Sequence, residues 1–183
     1  QILDLTSVIM GPFATQTLGD MGADVIKVES PNGDVTRQIG PARNIGMSAM
    51  YLNTNRNKRS LVLNLKRKKG REILLRLSKS ADVVIHSMRP KAIARLGLTY
   101  ADFQTTKPDI IYCGCYGFGK EGPYADRPAY DDVIQGEAAI TGTFDARDGR
   151  PAMVPSSFVD KNTGLIAANG ILAAIIQNLR TQE

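Results

Sequence analysis

One carboxylate stands out as a group able to do covalent chemistry. The run Ser156-Ser157-Phe158-Val159-Asp160-Lys161-Asn162-Thr163-Gly164 leads into a small-residue apolar segment, Leu165 to Ile176. That segment is apolar enough to bury a helix on all sides. Asp160 falls at its N-terminal end, where unpaired backbone N–H groups and the positive end of the dipole favour an ionised, accessible carboxylate. Such a carboxylate can cap the helix, since Asp is a preferred N-cap, or it can attack an electrophile. With a reference pKa of about 3.9 it is ionised at neutral pH and needs no base to activate it.

Other chemistries find few residues. The single histidine, His86, has no partner histidine and no acid or nucleophile spaced around it. It reads as a strand-end residue, so no metal is expected and a serine triad has no base. Cys113 and Cys115 lie two apart, on one face of a strand. Disulfide geometry is poor at that spacing, and they read as reduced core cysteines of a cytoplasmic protein.

The charge is concentrated. From Arg56 to Lys79 there are ten Lys or Arg and one Glu, so the net +5 of the chain sits in one stretch. A basic patch seeks phosphates. Nucleic-acid readers interleave aromatics for stacking, and this stretch has none, so a phosphate-bearing small molecule fits better. The segment from Lys66 to Arg71 also reads as the solvated face of an amphipathic helix, and the pattern leaves both readings open.

The elements that must position these groups alternate. Strand-like runs lie at Ile2–Leu5, Asp24–Val28, Ser60–Leu65, Asp82–His86 and Asp109–Cys115, with helix-like stretches at Pro12–Met21, Lys68–Ser80 and Pro90–Gln104, the last broken at Gly97. Mostly apolar strands alternating with helices predict a parallel sheet in an α/β domain, with right-handed crossovers. Thr6 to Pro12 carries no G-x-G-x-x-G, so a nicotinamide dinucleotide loses its main support. Ser30 to Asn57 reads as a long loop with one helical turn around Ser48 to Leu52, able to close over a ligand. Gly117 to Pro123 is a glycine-rich turn after the last strand, where open α/β sheets bind ligands. At 183 residues and 43% hydrophobic the chain can bury one core. No N-terminal stretch resembles a secretory signal, and Leu165 to Ile176 is too short to span a bilayer.

Several motifs in order resemble the class III CoA-transferases, the CaiB/BaiF family that includes the formyl-CoA and carnitine CoA-transferases. They are Ile2-Leu3-Asp4-Leu5-Thr6 with Gly11-Pro12, Leu18 to Glu29, Asn55 to Leu61, Ala81 to Ile85, Arg95-Leu96-Gly97, and Tyr130 to Gln135. Asp160 with Asn162-Thr163-Gly164 is similar to the family's nucleophile turn. The resemblance implies a Rossmann-like parallel sheet flanked by helices. Residues 1–183 would be the N-terminal part of the large CoA-binding domain, with the small domain and the C-terminal part lying outside this chain. It also implies an interlocked homodimer of the full-length protein, an exception to the usual unthreaded topology.

The resemblance carries roles with it. Asp160 would be the catalytic nucleophile, and coenzyme A would bind as substrate along Arg37, Leu63, Asn64, Leu65, Lys66, Ser87, Met88, Arg89, Arg95 and Tyr130. Guanidinium forks and ammonium charges suit its phosphates. Some oxyanion donors would come from a glycine-rich loop in the second half of such proteins. The implied reaction moves CoA from an acyl-CoA thioester to a carboxylic acid through an aspartyl intermediate. An acyl-CoA racemase of the same fold is the first alternative, but that branch has a histidine where this chain has Tyr130. A non-catalytic nucleotide-binding module is the other. Ile9 stands where the formyl-transferase branch has glutamine, which argues against formyl-CoA and oxalate as substrates.

Overall fold

Short apolar runs make the strands, and in the computed structural model, which describes residues 1–144 and 149–181, they form one parallel sheet. In chain order the elements are β1 (Ile2–Leu5), α1 (Met10–Asp20), β2 (Val25–Glu29), a 3₁₀ turn (Val35–Gln38), α2 (Ala49–Asn55), β3 (Lys58–Val62), α3 (Lys68–Ser78) and β4 (Val83–His86). There follow α4 (Pro90–Arg95), α5 (Tyr100–Gln104), β5 (Ile111–Gly114), α6 (Asp131–Glu137) and α7 (Phe158–Thr181). The sheet order is β3-β2-β1-β4-β5, with Ile2 paired to both Val25 and Val83. β1 and β4 are buried at every residue, because helices cover both faces of a parallel sheet. The parallel α/β architecture is therefore as the residue pattern predicts.

Alternation along the strands sorts two cores. Leu3, Leu5, Val28 and Val84 pack with Leu74 of α3, Ile93 of α4 and Phe103 of α5. Ile2, Val25, Val83 and Ile85 face the other way, onto Ala14 and Leu18 of α1 and Ala168 and Ile171 of α7. A Cβ at Gly164 would lie 2.6 Å from the Met10 carbonyl oxygen, so this glycine lets α7 cross the first turn of α1. The helix is not buried all round in this chain. Gly164, Ala168 and Ile171 form the packed stripe, while Leu165, Ile166, Ile176 and Leu179 stay exposed.

The helix-like stretch Pro90–Gln104 breaks at Gly97 as expected, giving two helices. Gly97 turns the chain at φ +64°, and Thr99 restarts it with a capping box to Asp102. β3 starts at Lys58 rather than Ser60 because the Lys58 ammonium is neutralised inside, 3.1 Å from Asp4 and 2.8 Å from the Pro12 carbonyl. Lys27 is equally buried, 2.9 Å from Asp34, and donates to the Thr6 carbonyl at 3.0 Å. Burial pushes the Asp4 carboxyl up, but Lys58 and Lys27 outweigh it and hold it at about 2. These pairs anchor the turn that leaves β1.

The stretch Ser30–Asn57 holds more structure than one helical turn. Ser48 caps α2 by accepting the Tyr51 N–H at 3.1 Å, and Arg37 clasps the loop. Its guanidinium donates to both Glu29 oxygens, at 2.8 and 2.6 Å, and to the Gly46 carbonyl at 3.2 Å. It also lies 3.8 Å from the Tyr51 ring centroid.

Candidate active site

At β1 the sheet changes direction, with β2 and β3 to one side and β4 and β5 to the other. The loops leaving β1 and β4 therefore diverge, and a crevice opens beyond their C-terminal ends. A cleft of about 200 Å³ lies there, lined by the turn Ser7 to Met10 after β1, Ser87 and Arg89 after β4, Cys115 to Phe118 after β5, Arg127 to Tyr130, and Asp160. The Ser7 N–H donates to Ser87 Oγ at 3.1 Å, tying the two central loops together. Val8 sits at φ +73°, a region a β-branched residue enters at a cost of about 1–3 kcal/mol. The buried Lys27 contact to the neighbouring Thr6 carbonyl holds this turn in place.

Asp160 reaches the cleft because α7 starts there. It is the third residue of the helix rather than its N-cap, so the capping alternative is set aside. Its own N–H donates to Asp131 Oδ1 at 2.9 Å. Among the described residues no donor hydrogen-bonds to its carboxylate. Burial, and then the neighbouring Asp131, push its pKa up to about 6. Those two effects outweigh the helix dipole, which favours the ion, so the surroundings oppose the charge rather than secure it. The group is still roughly 90% ionised at pH 7. It is thus an ionised carboxylate of raised basicity, unpaired and open to a cleft, which suits nucleophilic attack on a carbonyl.

The other sequence-derived site residues divide into two sets. Ser87, Arg89 and Tyr130 share the cleft with Asp160. Met88, between them, packs on the core. Leu63 is buried in that core and Leu65 packs against it, leaving Asn64 and Lys66 exposed before α3 and Arg95 exposed at the end of α4. Arg37 is engaged by Glu29. None of these last residues lines the cleft. His86, the last residue of β4, is fully buried with its ring against Tyr112, centroids 5.0 Å apart. Burial lowers its pKa to about 4, so it is neutral at pH 7.

Sequence reasoning overlooked Ser7, Cys115 and Arg127 as cleft residues. The available signal was position: Ser7 and Cys115 lie within two residues of the C-terminal ends of β1 and β5, where α/β sheets bind ligands. Arg127, in the irregular stretch before α6, had no such signal. It is placed by the fold, with its guanidinium 4.1 Å from the Tyr124 ring centroid.

Fold and cleft together define a Rossmann-like α/β domain with a carboxylate at its topological switch point. The chain belongs to CoA-transferase family III, whose model matches residues 1–183. It is 41% identical over 182 residues to the human succinyl-CoA:glutarate CoA-transferase, covering 99% of this chain and 42% of that protein. It is 40% identical over 183 residues to a formyl-CoA:oxalate CoA-transferase of Streptomyces avermitilis, covering 99% of this chain and 44% of that protein. The crystal structure of a CaiB/BaiF family protein from Brucella suis superposes with a TM-score of 0.94 at 39% identity, over 100% of this chain and 49% of that one. The chain thus spans about half the length of the relatives it matches. Among the described residues no helix is long and apolar enough to cross a membrane.

Proposed function

We propose that the protein transfers CoA from an acyl-CoA thioester to a carboxylic acid through covalent intermediates on Asp160. The observation that carries this reading is the unpaired Asp160 carboxylate in the switch-point cleft beside Ser87, Arg89 and Tyr130. A carboxylate oxygen attacks the thioester carbonyl, a C–O bond forms, the C–S bond breaks, and an acyl-aspartyl anhydride and CoA thiolate result. The thiolate then attacks the Asp160 carbonyl carbon, giving an aspartyl-CoA thioester and releasing the donor acid as its carboxylate. The acceptor carboxylate attacks that thioester, displacing the thiolate and forming a second anhydride. Return of the thiolate to the acceptor carbonyl gives the new acyl-CoA and restores Asp160. No step needs an external base.

The CoA nucleotide is assigned to the basic flank, where Lys66 and Arg95 are exposed and have no ion-pair partner among the described residues. Dicarboxylic acids longer than oxalate are the acceptors to try first. The relatives include succinyl-CoA:glutarate enzymes, and Ile9 gives this cleft an apolar wall with no side-chain amide to hold oxalate. The exposed Leu165, Ile166, Ile176 and Leu179 of α7 support assembly of the full-length protein as an interlocked homodimer. Sedimentation as a monomer would refute that assembly.

The reaction is tested by incubating full-length protein with an acyl-CoA and digesting it. A mass increase confined to the Asp160 peptide is expected, with loss of CoA exchange in Asp160→Asn. Exchange at the parent rate in that variant would overturn the mechanism.

A further inference from the structure

The residue that touches the backbone of the nucleophile is itself an acid. Asp131 opens α6, 29 positions before Asp160, and one of its oxygens accepts the Asp160 N–H at 2.9 Å. Its other oxygen accepts from Gln135 Nε2 at 2.6 Å. Gln135 is fully buried, and its Oε1 accepts the Val154 N–H at 2.8 Å. Both carboxylate oxygens of Asp131 are therefore held, one by the first turn of α7 and one by a side chain locked to the irregular segment that leads into that turn. A cap on a helix N-terminus needs only an acceptor, and serine or asparagine serves as well as aspartate. An aspartate here adds a fixed negative charge beside a second carboxylate, an arrangement that disfavours ionisation of its neighbour.

We propose that Asp131, locked by Gln135, is a positioning residue for Asp160: it pins the backbone of the nucleophile and presses a like charge on its carboxylate, making that carboxylate a stronger nucleophile. The proposal rests on the reading of Asp160 as the attacking group. Acylation neutralises Asp160, so the repulsion present in the resting carboxylate is relieved as the first covalent bond forms. Burial and Asp131 together already move the Asp160 carboxyl up to about 6. The other charged or titratable groups around Asp160 are Arg89 before α4, Cys115 and Tyr116 after β5, Arg127 and Tyr130 before α6, and Lys161 on its own helix, which donates to Ser156 Oγ at 2.8 Å. None of these hydrogen-bonds to the Asp160 carboxylate among the described residues, which leaves Asp131 as the charge held against its backbone.

The test compares Asp131→Asn with Asp132→Asn in the full-length protein. Asparagine at position 131 still accepts the Asp160 N–H but carries no charge, whereas Asp132 is the exposed neighbouring charge on the same helix. In Asp131→Asn the acid limb of the CoA-exchange rate should move down by about one pH unit. The rate at pH 8, where Asp160 is ionised in both proteins, should fall a few-fold, because a less basic carboxylate is a weaker nucleophile. Asp132→Asn should change neither. The Asp160 carboxyl is also titrated directly by ¹³C NMR, which needs no turnover and also reads a variant with lowered stability. A titration midpoint unchanged in Asp131→Asn, or moved equally in Asp132→Asn, would overturn the proposal. A shifted midpoint in a protein that forms no Asp160 adduct would support the coupling and strike instead at the CoA-transfer reading.

Discussion

Asp160→Asn should make the protein more stable at neutral pH while abolishing its chemistry. The carboxyl is raised from 3.8 to about 6, by burial first and by Asp131 second, so the folded state prefers it protonated. Below about pH 3.8 both folded and unfolded chains carry it neutral and it has no effect. Between about 3.8 and 6 the unfolded carboxyl ionises while the folded one resists, and stability is lost as pH rises. Above about pH 6 the loss is complete. The full displacement corresponds to about 3 kcal/mol. The group is only half-buried, and solvent screening reduces this to about 1–1.5 kcal/mol. Asparagine has nearly the same shape and no charge, so it removes the penalty. Urea unfolding of parent and variant at pH 4 and pH 7.5 measures it. Near-equal stability at pH 4 and a gain of about 1 kcal/mol at pH 7.5 are expected. A gain equally large at pH 4 would assign the effect to packing, and a variant less stable at pH 7.5 would refute the argument.

Two further substitutions probe the frame. Gly164→Val places a side chain where a Cβ already lies 2.6 Å from the Met10 carbonyl, so it should push α7 off α1. We expect a loss of about 1–3 kcal/mol in thermal unfolding, together with loss of exchange, and an unchanged melting temperature would refute the crossing. Arg37→Ala should lower the melting temperature because it strands the buried Glu29, which this guanidinium and Ser60 hold at about 2 against burial. Arg95→Ala should leave melting unchanged and raise KM for the acyl-CoA. The reverse pattern would exchange their roles.

What was legible in the residues was local. Periodicity and apolar runs located all five strands and the helices α1, α3, α4, α5 and α7, though not α6, since a buried parallel strand and an amphipathic helix leave their period in a few consecutive residues. The segment that brings Asp160 to the start of α7 was legible for the same reason, being contiguous. The misplaced start of β3 shows the limit: Lys58 reads as a surface residue until Asp4, 54 positions away, is found 3.1 Å from it.

Identity and order along the chain were thus enough to name the sheet type, the helix that carries Asp160 and the family. Tertiary structure alone decided which side chains meet. The order β3-β2-β1-β4-β5 brings the ends of β1, β4 and β5 to one crevice, sets Asp131 against the backbone of Asp160 and engages Arg37 with Glu29. The basicity of a carboxylate depends on distances to charges and on water excluded by distant segments, and neither quantity is written in any stretch of neighbouring residues.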